Sequence, residues 1–274
     1  MPETFDEDLG SGQLGLDTPN IARMYDYFLG GSAHTAADRA ASDAIIREVP
    51  HVSEVLRFNR AFLARAVRVL VRRGIDQFLD LGSGIPTVGN VHEIAQAHDP
   101  CARVAYVDWE LVAVTYARRM LGENPRVTVT QADIRDPGTV LAAPEVAGLL
   151  DWDRPVAVLL LATLDILAPA DAGSLVAAYR DASAPGSALA LTNGAQLGHS
   201  DADVARYRDL LERTSTPHLR LRTHDEVVEL FDSYTLLEPG VVPTPSWRPD
   251  HPVTTDDVAA ANAYAGVGVL PAPE

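Results

Sequence analysis

The stretch Phe78–Gly84, F-L-D-L-G-S-G, constrains the fold more than any other. Ile75–Leu81 is a short apolar run broken mainly by Asp76, Gln77 and Asp80, as in a strand buried on both faces. Gly82 and Gly84 then let the backbone turn sharply and approach a ligand that a Cβ would hold off. Val88–Ala97 reads as a helix beginning just beyond the turn. Strand, glycine turn and helix in that order form a nucleotide-type site at the carboxyl end of a parallel strand.

The same alternation continues downstream. Strands are expected at Arg103–Asp108, Val127–Gln131, Val156–Ala162 and Ala188–Thr192. Between them lie helices such as the one marked by Leu111, Val114, Ala117 and Leu121 at helical spacing. Repeated β-α-β units imply an open, mostly parallel sheet with helices on both faces. Further on, Asp201–Arg213 and Asp225–Phe231 read as helices, and Tyr234–Val242 and Ala263–Leu270 as an antiparallel pair at the sheet edge. Upstream, helices are expected from Ile21 to Gly30-Gly31, over Ala36–Glu48 and over Ser53–Arg73. Arg65, Arg68 and Arg72 line one side of the third, where a solvated face is expected. Three parts follow: an acidic, Gly/Ser-rich disordered tail over residues 1–16, a helical cap over 17–74, and a ligand-binding α/β domain over 75–274.

Charge excludes several function classes. A net charge of −16 repels nucleic-acid phosphates and anionic lipid, so neither is expected as a partner. The one cysteine, Cys101, allows no intramolecular disulfide and fits a reducing cytoplasm. No apolar run approaches the ~20 residues of a membrane span. His34, His92, His199, His218 and His251 have no metal-ligand spacing, so no metal is expected.

Acidic residues mark the end of each early strand: Asp80 on the first, Asp108 on the second, and Asp133 just after the third. In a doubly wound sheet they line one edge. An aspartate at the tip of the second strand can accept both hydroxyls of a ribose, because its ionised oxygens only accept. Asp133, with Ile134 beside it, is placed for an exocyclic amine such as adenine's, unless it only caps a helix. Trp109 either stacks on the base or packs. The turn lacks the third glycine of G-x-G-x-x-G, since Thr87 stands there, and Asp80 precedes its first glycine by two residues. That carboxylate suits a cationic or zwitterionic ligand better than a pyrophosphate. S-adenosylmethionine, with an ammonium, a sulfonium and a ribose, fits.

D-L-G-S-G, Asp108 and Asp133 resemble the first three cofactor motifs of class I S-adenosylmethionine-dependent methyltransferases, and Pro185-Gly186 their turn before strand five. More specifically, the chain resembles the S-adenosyl methyltransferase family common in actinomycetes, once catalogued as a domain of unknown function. The matching stretches are N-I-A-R-M-Y-D-Y-F-L-G-G (20–31), N-R-A-F-L-A-R-A-V (59–67), F-L-D-L-G-S-G-I-P-T-V-G-N-V-H (78–92), Q-A-D-I-R-D-P (131–137), D-R-P-V-A (153–157), E-P-G-V-V-P (238–243) and W-R-P (247–249). The resemblance implies a Rossmann-like, seven-stranded methyltransferase sheet with its last strand antiparallel.

It also implies methyl transfer from S-adenosylmethionine to a small-molecule acceptor. Gly82, Ser83, Gly84, Asp80 and Asp108 are the expected cofactor contacts, with Ala162 and Thr163 at its methionine end. Arg23 can meet its carboxylate and Gly30 can close over it, or both can serve the helices that carry them. Relatives tend to carry His after strand four; here Asp165 stands there. Asp165, Tyr25 and His34 are the candidates for a general base, where one is needed. The cap and the loop Pro243–Pro252 are expected to form the acceptor pocket. Two other readings stay open: a cofactor-binding protein without transferase activity, and an NAD(P)-dependent oxidoreductase.

Overall fold

A computed structural model describes residues 17–49, 51–86, 89–122, 124–167, 169–212 and 219–272. The expected tail, Thr87 and His218 lie outside the described residues.

The chain enters through three helices. Asn20 caps α1 (Ile21–Phe28) by accepting from the amides of Ala22 and Arg23. Gly30, at φ +80°, ends it in the left-handed conformation that glycine adopts without strain. Thr35 and Asp38 form a reciprocal capping box on α2 (Ala36–Glu48). The long α3 (Val52–Arg72) carries the apolar stripe that faces the sheet.

Then come β1 (Gln77–Leu81), α4 (Val91–His98), β2 (Arg103–Asp108), α5 (Leu111–Leu121) and β3 (Val127–Gln131). Two short helices, α6 (Pro137–Ala142) and α7 (Pro144–Ala147), precede β4 (Ala157–Leu161), α8 (Pro169–Asp181) and β5 (Ala188–Gly194). The remainder is α9 (Asp201–Leu211), α10 (His224–Glu229), β6 (Thr235–Leu236), β7 (Val242–Pro243), α11 (Thr255–Ala261) and β8 (Ala263–Val269).

Among the described residues the strands form one eight-stranded sheet in the order β3-β2-β1-β4-β5-β8-β6, with β7 also on β8. The five strands from β3 to β5 pair in parallel, and β8 runs antiparallel to β5, β6 and β7. The alternation of side chains divides the core. Phe78, Val104, Tyr106 and Leu159 pack on the side of α3 and α4. Leu79, Leu81, Val107 and Leu160 pack on the side of α8 and α10.

Three expectations need correction. The strand expected over Tyr234–Val242 is split in two by a turn at Pro239-Gly240, where proline offers no N–H and Gly240 takes φ +86°. The helix expected from Val88 begins at Val91, where Asn90 and Glu93 make its capping box. The arginine face of α3 is not simply solvated. Arg65 is buried, and its guanidinium donates to the carbonyls of Trp247 (2.8 Å) and Thr244 (2.7 Å), while Arg68 pairs with Asp250 at 2.5 Å. These bonds pin the Pro243–Pro252 loop onto α3. Arg65→Met leaves two buried carbonyls without donors and is expected to cost about 2–4 kcal/mol, read as a lower midpoint in urea unfolding.

Candidate functional site

Parallel pairing brings the carboxyl ends of β1, β2, β3 and β4 to one edge of the sheet. At that edge lies a cavity of about 280 Å³, near the lower end of the ~300–1,000 Å³ usual for small-molecule sites. The glycine turn forms one wall. Gly82 and Ser83 both donate their amides to the Val107 carbonyl, at 2.8 and 3.2 Å, which folds the turn over the end of β2.

Each glycine has its own reason. Gly82 takes φ +75°, and a Cβ there would lie 2.6 Å from the Thr163 side chain, whose hydroxyl donates to the Leu81 carbonyl. Gly84 takes φ +62°, and a Cβ there would meet no protein atom within 4 Å. Gly84 lines the cavity, so its missing side chain leaves a cradle open to a ligand.

The three strand-end aspartates all line this cavity, in different states. Burial pushes the Asp80 carboxyl up to about 7; nearby Arg60 opposes the shift and Asp108 adds to it. Among the described residues Asp80 receives no hydrogen bond, so its oxygens are available to a ligand's donors. Burial also raises Asp108, against hydrogen bonds from the Gly84 amide (2.8 Å, to Oδ2) and the Glu110 amide (2.9 Å, to Oδ1). Asp133 is held below the usual carboxylate range by Arg135, which pairs with both of its oxygens.

Behind these groups runs a hydrogen-bonded chain. Asn59 of α3 donates to the Tyr25 hydroxyl at 3.0 Å and accepts from Thr192 at 2.7 Å, and Thr192 accepts from the Ala162 amide at 2.8 Å. Ala162 itself sits at φ +55°, a left-handed conformation that costs a non-glycine residue about 1–3 kcal/mol. Ala162 and Asn59 also line a second chamber, of about 90 Å³, between α3, α9 and the end of β5.

The cavity thus gathers Asp80, Gly82, Ser83, Gly84, Asp108, Trp109, Asp133, Ile134, Ala162, Thr163 and Tyr25. Asp165 lines the second chamber instead. Three sequence candidates line neither. Arg23 is buried in a 2.5 Å pair with Asp38 and also donates to the Thr18 carbonyl, so it ties α1 to α2 rather than facing a ligand. Gly30 is the exposed stop of α1. His34 is held by the Gly31 carbonyl at Nε2 (3.1 Å) and stacks edge-on against Tyr27. The Pro243–Pro252 loop contributes nothing to either wall, because Arg65 draws it to another part of α3.

Sequence reasoning missed the α3 contribution of Asn59, Arg60 and Leu63, along with Ile21, Ile85 and Arg135. One signal was available: a buried asparagine beside an arginine inside an otherwise apolar stripe between Phe58 and Phe62. Among the described residues no cluster of three or more metal-ligating side chains occurs, and no helix is long and apolar enough to cross a membrane.

Fold and cavity together define a Rossmann-like site for a nucleoside-bearing ligand. The pattern of the S-adenosyl methyltransferase family matches residues 8–271, and the chain belongs to that family. A candidate methyltransferase of Thermobifida fusca YX is 40% identical, with 97% of this chain and 100% of that one covered and a TM-score of 0.89. A DUF574 family protein of Streptomyces avermitilis MA-4680 is 35% identical over 94% of this chain and 100% of its own, with a TM-score of 0.87. No curated protein matches the chain significantly. The protein is an S-adenosylmethionine-dependent methyltransferase. The open cradle at Gly84 and the unbonded Asp80 carboxyl fit that cofactor.

Proposed function

We propose that the protein transfers a methyl group in line from S-adenosylmethionine to a small-molecule acceptor, with the cofactor lying across the β1–β2 edge. One observation carries this reading: Asp80 and Asp108 flank, within a single cavity, a glycine turn that leaves open space where a side chain on Gly84 would stand. When bound, the cofactor supplies a methyl group already activated by a sulfonium. The chain's own task is to hold the acceptor in line and exclude water.

Asp108 accepts the ribose hydroxyls, Asp133 and Trp109 take the adenine side, and the backbone of the turn seats the amino-acid tail. Asp80 holds the ammonium, and Arg60 is placed for the carboxylate. The Tyr25 hydroxyl accepts its bond from Asn59, which leaves its own proton to donate into the cavity. Calorimetry tests the reading: S-adenosylhomocysteine binds and NADH does not. Equal binding of NADH would overturn it. Labelled cofactor incubated with small-molecule extracts then identifies acceptor fractions.

Protonation gives a further check. Asp80 holds a proton up to about pH 7 in the free protein, and a bound ammonium favours its carboxylate form. Binding of S-adenosylhomocysteine at pH 6 therefore releases a proton, and affinity rises with pH until about 7. Calorimetry in buffers of different ionisation enthalpy measures that proton, and Asp80→Asn removes it.

A further inference from the structure

The second chamber is the strongest feature that the cofactor reading leaves unused. It opens beside Ala162 and Asn59, which it shares with the cofactor cavity. Its far wall is aliphatic, made by Val52, Val55 and Leu56 of α3, Val204 of α9, and Leu219 and Leu221. Its polar end carries Asp165.

Several bonds hold this end in place. The Gly194 amide donates to Asp165 Oδ1 at 2.7 Å, and a Cβ on Gly194 would lie 2.9 Å from Leu221. The buried Arg222 donates to the carbonyls of Leu164 (2.8 Å) and Leu167 (3.0 Å) and to Asn193, so the segment at 219–222 is fastened beside Asp165. Asn262, itself left-handed, receives the amides of Leu197, Gly198 and His199 and fixes the turn on the other side. The other oxygen of Asp165 has no partner among the described residues.

We propose that this chamber is the acceptor site and takes a small apolar molecule, of about one ring's size, that carries a single hydroxyl donated to Asp165. The inference rests on the cofactor occupying the neighbouring cavity. Size follows from volume: a chamber of about 90 Å³ is smaller than the ~150 Å³ apolar cavity that holds benzene, which limits the acceptor to one ring at most, its hydroxyl-bearing edge left in the mouth at Ala162. The hydroxyl follows from the carboxylate. An alkylammonium would be held there as an ion pair with no lone pair to attack, whereas a neutral hydroxyl keeps a lone pair while it donates its proton. In the transfer, that oxygen forms a bond to the methyl carbon as the carbon–sulfur bond breaks. The sulfur keeps the electron pair, and the hydroxyl proton passes to Asp165 and then to solvent.

The test is fluorine NMR with 4-fluorophenol and fluorobenzene, titrated with and without S-adenosylhomocysteine. The phenol is expected to bind more tightly than fluorobenzene. Val204→Trp, which fills the apolar end, is expected to weaken phenol binding at least tenfold while S-adenosylhomocysteine affinity changes less than twofold. Should that variant not fold, Val55→Phe asks the same question. Asp165→Asn is expected to weaken the phenol at least fivefold and leave fluorobenzene unchanged. Phenol binding that is absent, indifferent to these substitutions, or no tighter than that of fluorobenzene overturns the proposal. Failure of S-adenosylhomocysteine to bind the unaltered protein would instead overturn the cofactor reading, since the phenol titration without it still probes the chamber.

Discussion

Replacing Asp108 by alanine is expected to weaken S-adenosylhomocysteine binding about a hundredfold or more. Each oxygen of this carboxylate already accepts one backbone amide, from Gly84 or Glu110. An ionised carboxylate offers about four acceptor positions, so each oxygen retains one for a ribose hydroxyl. Hydrogen bonds to a charged partner contribute about 1.5–3 kcal/mol each, and losing two at the lower figure costs about 3 kcal/mol, or roughly a hundredfold in affinity. The same substitution frees the Gly84 amide, so the turn loses an anchor and the effect can only grow. Asp108→Asn keeps one acceptor oxygen and should fall between. Calorimetric titration measures both variants, and an unchanged affinity in Asp108→Ala defeats the ribose assignment.

Asp165→Asn is expected to reduce turnover by about 10²–10⁴ with the cofactor's affinity intact, the usual contribution of a positioned general base. Its environment suits the role. Burial raises its carboxyl to about 6, against the Gly194 amide and the charge of Arg222. A base must be ionised, so at saturating cofactor kcat/KM for the acceptor falls about tenfold per pH unit below 6 and levels above it. Other titratable groups face this carboxyl: Tyr207 from α9 and His199 from the turn before α9 line the same chamber, and Arg222 lies beside it. His199→Gln should therefore preserve the acid limb that Asp165→Asn removes. The same shift has a sign for stability. A carboxyl whose pKa is raised on folding opposes folding where it must ionise, so the penalty is absent below about pH 4, grows through 4–6 and is complete above 6. Asp165→Asn should therefore unfold at higher urea than the unaltered protein at pH 7, and not at pH 4.

The sequence revealed most of the lining of the first cavity because that pattern is local. A glycine turn, and aspartates at strand tips that parallel pairing aligns, can be placed by counting along the chain. The second chamber is assembled from α3, β5, α9 and the start of β8, which only packing brings together. Periodicity identified the buried face of α3 but not that Asn59 sits within it, bridging Tyr25 and Thr192. Arg23 and Arg65 show the complementary failure. Each is a cation whose partner lies far enough along the chain, Asp38 for one and the Thr244 and Trp247 carbonyls for the other, to be invisible until the helices pack. Asp165 was found for a local reason, as a departure from an expected histidine, yet its surroundings were set by Gly194 and Arg222.

A crystal structure with S-adenosylhomocysteine and 4-fluorophenol tests the account most directly. The ribose hydroxyls should lie on Asp108, the ammonium on Asp80, and the sulfur at the mouth beside Ala162, with the phenol oxygen between it and Asp165. Adenosine lying away from the β1–β2 edge, or no density at millimolar ligand, would contradict it.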